Sequence, residues 1–147
     1  KTISYNVSAN SWPAWEDKGI TITDSDLANG FDLAKLNLRL AKELDRSAEV
    51  FGNAHWLVGA HHLAAKRTNE AVKSFQESAE QFNKAKKPDF ALMATGYHGL
   101  ARALSKQDAD AGEKAFREAV SDLKKLDTED SKFFASQLES VRKFFEK

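Results

Sequence analysis

From Asp24 onward, apolar residues return every three or four positions, which is the spacing of a helix with one buried stripe. Phe31, Ala34, Leu38 and Ala41 carry the first stripe, and Leu33, Leu36, Leu40 and Leu44 widen it. Thr23, Asp24, Ser25 and Asp26 crowd its start, where hydroxyls cap and carboxylates suit the positive helix end. The pattern predicts a second helix from about Ser47 to Lys66. A third opens at Thr68 or Asn69 and carries Ala71, Val72, Phe75, Ala79 and Phe82. Pro88, a favoured first-turn residue, opens a fourth with Met93, Tyr97, Leu100 and Leu104. Asp108 or Asp110 starts a fifth, and Thr128 a sixth that ends in Phe144-Phe145. Linkers of a few residues favour antiparallel neighbours.

Residues 1–24 follow another rhythm. Ile3, Tyr5 and Val7 alternate with polar residues, as do Ile20 and Ile22, which predicts short half-buried strands. Pro13 interrupts the stretch between them. The expectation is an extended arm over residues 1–24, followed by a helical domain over 25–147. Trp12 and Trp15 on that arm either cap the helical core or reach a neighbouring molecule or ligand.

The helices repeat. Laying residues 70–82 over 111–123 pairs Lys73 with Lys114, Phe75 with Phe116 and Glu77 with Glu118. The same offset pairs Ala94 with Ala135 and Leu100 with Val141. A shift of one residue less places Gly99 on Gly59. A hairpin used twice cannot bury its own apolar face, so stacking must build the core.

Gly59, Ala71, Phe75 and Ser78 stand in the order that the tetratricopeptide motif uses. That motif has a small residue late in its first helix, then Ala-x3-Phe and another small residue in its second. Residues 53–83 resemble it best, and 93–126 follow more weakly through Phe116 and Ala119. His62 takes the place of the usual tyrosine, and Asn83 that of the closing proline. The period of 40 to 41 residues also exceeds the family's 34. The resemblance implies an all-α fold of antiparallel helical hairpins stacked as a short α-solenoid behind the N-terminal arm.

Chemistry is sparse. Lys+Arg and Asp+Glu each number 22, so the chain lacks the basic excess of a nucleic-acid binder. No apolar run is long enough to span a membrane. Without cysteine there is no disulfide, thiolate nucleophile or thiolate zinc site. His61 and His62 are adjacent and diverge by about 100° on a helix, and the residues one turn from His62, His55 and His98 offer no local chelate. No metal or cofactor is therefore expected. No nucleophile elbow, phosphate loop or dinucleotide turn is present, so no enzyme is expected either. Lys1 in place of an initiator Met fits a chain freed of an export signal or simply trimmed, leaving cytoplasmic and exported locations equally open.

The resemblance also implies a protein- or peptide-binding groove lined by the first helices of the hairpins, residues 47–66 and 89–106. Exposed candidates there are Asn53, Trp56 and His61 on one helix, and His98, Arg102 and Lys106 on the next. Arg102 and Lys106, four residues apart, would suit an acidic group or a C-terminal carboxylate. Trp56 is either a binding anchor or a core residue against the arm. The rival expectations are a subunit that self-associates through the arm, and a small-molecule or metal-binding helical protein.

Overall fold

The computed structural model describes residues 2–147. Its elements are α1 (Thr2–Asn10), a 3-10 turn (Pro13–Trp15), α2 (Asp24–Glu43), α3 (Ala48–Ala64), α4 (Thr68–Lys84), α5 (Pro88–Ala103), α6 (Ala109–Leu126) and α7 (Glu129–Glu146). Among the described residues there is no strand. The six helices expected from Asp24 onward are α2 to α7.

Their ends have local causes. Thr23 closes a capping box on α2 with Asp26, and Thr128 closes one on α7 with Ser131. Pro88 sits in the first turn of α5. The C-terminal ends of α3 and α4 share one device. Lys66 and Lys86 take left-handed backbone with φ of 61° and 56°. Next, Arg67 N–H donates to His62 O and Lys87 N–H to Phe82 O, at 2.9 and 3.0 Å. This six-to-one closure reverses the chain within three residues, without the usual glycine.

The arm departs from the expected strands. Residues 2–10 form α1, because Ile3 and Val7 are one helical turn apart as well as two strand steps apart. Both point outward, 79% and 50% exposed, while Ser4 and Ser8 are buried on the opposite face. Ile20 is exposed and Ile22 half-buried in an irregular linker that leads to α2.

From α2 to α7 each helix packs on the next, and α7 also packs on α5. Close approach comes from small residues. A Cβ on Gly59 would lie 2.9 Å from the Phe75 ring of α4. One on Gly99 would lie 2.6 Å from the backbone nitrogen of Phe116 in α6, so α5 and α6 meet backbone to backbone. Phe75 and Phe116 are both buried, at the positions that the repeat equates.

Candidate functional site

The helices α3, α5 and α7 turn aromatic rings toward a single indole, that of Trp12. Its ring centroid lies 5.6 Å from Trp56 on α3, 6.1 Å from Tyr97 on α5 and 6.2 Å from Phe145 on α7. Trp12 is 1% exposed, and its Nε1–H donates to Ala60 O at 2.7 Å. Pro13 presets the tight turn that follows, and it brings Trp15 edge-on to Trp12 and stacked on Trp56 at 5.9 Å. Trp15 Nε1–H in turn donates to Ala9 O at 3.0 Å. The segment is held like a ligand, with a buried anchor, a polar handle and a wall of rings.

Its helical part is fixed by a second set of contacts. Ser8 Oγ donates to Gly30 O at 2.6 Å on α2. His61 Nε2 lies 2.9 Å from both Ser8 Oγ and Ser8 O, and donates a shared proton to them. Gly30 makes room: a Cβ there would strike the His61 ring at 2.6 Å. Burial lowers the His61 pKa, against the opposing pull of Ser8 O, and this keeps the ring neutral. Ser8 and His61 have the spacing of a nucleophile and its base, but Ser8 spends its proton on Gly30 and both are buried.

The residues expected to line one groove scatter. Trp56 and His61 were expected to be exposed, and both are buried, 6% and 2% exposed. The cause is the arm, which covers the face they occupy. Asn53 stays half-buried beside Trp56, its Nδ2 donating to Glu49 O at 3.1 Å. His98 and Arg102 lie instead in a hollow with Asn69, Val72 and Lys73 of α4. There Arg102 Nε already bonds Asp108 at 2.6 Å, so the carboxylate that the sequence led us to expect is supplied by this chain. Lys106, beyond the end of α5, lies beside Leu104 and Phe145 in a separate hollow.

Of the four histidines, His62 accepts from Arg67 Nε at 2.9 Å, and burial lowers the pKa of His55, His62 and His98 as it does that of His61. Among the described residues no three side chains of the metal-ligating kinds gather, and no helix is long and apolar enough to cross a membrane.

Sequence reasoning missed Ser8, Gly30, Tyr5 and Gln137. The spacing of Ser4 and Ser8, one helical turn apart, is the only local signal for the first of these. Comparison with protein-family models, with curated proteins and with solved structures found no match.

Proposed function

We propose that this chain is a protein-binding helical module whose groove between α3, α5 and α7 recognises an aromatic-anchored segment. In the free chain residues 2–15 occupy that groove. The observation that carries the reading is the seat of Trp12: one indole touches rings from three helices and donates to Ala60 O. A large ring in a desolvated pocket with one polar tether is the chemistry of a binding hot spot. The covalent connection from the segment to α2 is the linker at residues 16–23, nearly all of it exposed. A competing segment in trans would face an effective concentration on the order of millimolar from that tether.

Trp12 and Trp15 are spent on this chain's own helices, so self-association would take the form of exchanging the segment between two copies. The experiment uses the full chain and a labelled peptide of residues 2–15. The peptide should bind the Trp12→Ala chain at least about tenfold tighter than the unmodified chain, because the tethered competitor has lost its anchor. A peptide with the same substitution should not bind. Absence of saturable binding by about 1 mM, on a Trp12→Ala chain still folded by circular dichroism, would overturn the reading.

A further inference from the structure

The α1–α2 end of the array carries apolar rows that the core does not use. On α2, Phe31 and Leu38 pack against the core, and the Phe31 ring meets His62 of α3 edge-on at 4.9 Å. Leu33, Leu36 and Leu40 point roughly 150–170° away from that pair, at about 100° per residue. They are half-buried and stay outside the core cluster, and Leu44 ends the row at 57% exposed. On α1, Tyr5 and Ala9 line the hollow beside Trp15 and Trp56, whereas Ile3 and Val7 point to the opposite side, about 160° around the helix. Ser8 and Gly30 form the seam between the two helices. Both rows flank that seam on the side away from the core, so they form one apolar face.

The far edge of the leucine row is charged. Asp32 and Arg39 stand two turns apart on it, with side chains 72% and 68% exposed. Within the chain they meet only Lys35 at 3.3 Å and Glu43 at 3.6 Å, exposed pairs one turn along the same helix that hold little energy. The edge is complementary to itself about Leu36. When a second α2 lies antiparallel on the first, Leu36 faces Leu36 across a two-fold axis and Leu33 faces Leu40. Asp32 then meets Arg39 of the second copy, and every such contact is made twice. A parallel pairing makes neither ion pair, because each charged edge then meets the α1 side of the row.

We propose that two copies of this chain associate through the α1–α2 face, with α2 antiparallel to α2 and the axis at Leu36. Burial of the leucine row drives the union, and the Asp32–Arg39 pairs fix its direction and register. This union is distinct from exchange of the N-terminal segment, which would use the tryptophans. Here Trp12 of each copy keeps its own groove.

The test is light scattering after size exclusion, run on the full chain over a concentration series. Two short helices make a small interface, so the mass should be that of a dimer at about 500 µM and of a monomer at about 1 µM. Leu36→Glu places a carboxylate at the axis and should give a monomer throughout, with helix content by circular dichroism unchanged. Asp32→Arg and Arg39→Asp should each weaken the dimer at least about tenfold, since each sets like charges face to face twice. The two together restore opposite charges across the axis and should bring the dissociation constant back to within about threefold of the unmodified chain. A monomer at about 500 µM, a dimer that survives Leu36→Glu, or a double variant no better than the single ones would overturn the proposal.

Discussion

Gly59 and Phe75 meet so closely that a Cβ on the glycine would lie 2.9 Å from the aromatic ring. The corresponding pair in the second hairpin, Gly99 and Phe116, meets more severely, since the atom struck is backbone nitrogen at 2.6 Å. A ring can tilt, whereas a helix backbone cannot yield alone. Gly99→Ala should therefore destabilise the chain more than Gly59→Ala, which should cost about 1–3 kcal/mol as an overpacked site. Urea denaturation of the two variants checks the order.

Phe75→Ala should cost about 3–5 kcal/mol, and Phe116→Ala a similar amount, because both rings are buried at equivalent places. Chemical denaturation in which either change costs under about 1 kcal/mol would contradict the equivalence.

Trp12 ties the arm to the array, so the arm should unfold with it. Trp12→Ala should lower stability by about 3–5 kcal/mol. Trp12→Phe, which keeps a smaller ring and loses the bond to Ala60 O, should cost less than Trp12→Ala. An unchanged denaturation midpoint in Trp12→Ala would mean that the arm contributes nothing.

Lys86 holds a left-handed backbone, φ 56°, and is exposed, so its side chain gives little in return. Lys86→Gly should gain about 0.5–1 kcal/mol, the strain relieved less the added entropy of the unfolded glycine. Lys73→Gly, exposed and inside α4, should lose about 1 kcal/mol. Thermal melts of the two variants should move in opposite directions.

All four histidines have pKa values lowered from 6.5, chiefly by burial. The unfolded chain then takes up protons before the folded one as pH falls. The stability held by neutral histidine is complete above 6.5 and drains away below it, toward the lowered folded values. Melting temperature should thus fall between about pH 7 and pH 5, and His61→Asn should make the fall shallower. A melting temperature that rises over that range would reverse the sign.

The helical array was legible in the sequence because its causes are local or periodic. Thr23, Pro88 and Thr128 mark helix starts through their own backbone chemistry. The recurrence of Gly59 at Gly99 and of Phe75 at Phe116 announces one hairpin built twice. Short linkers then leave antiparallel packing as the remaining choice.

The arm was not legible, and the candidate site depended on it. Five residues with apolar side chains at 3, 5 and 7 satisfy a strand and nearly satisfy a helix, so periodicity alone cannot separate the two. The surroundings made the choice: in the helical arm Ser8 is buried, donates to Gly30 O and lies with both of its oxygens 2.9 Å from His61 Nε2. That contact joins residues 22 and 53 positions apart, which no local pattern encodes. Once the arm lies there, Trp56 and His61 pass from surface to interior, and Arg102 is matched by Asp108 from the loop after α5. Local periodicity and capping chemistry set the helices and their order. Which face of them stays open was decided only in three dimensions, because burial is a property of what comes to lie on top.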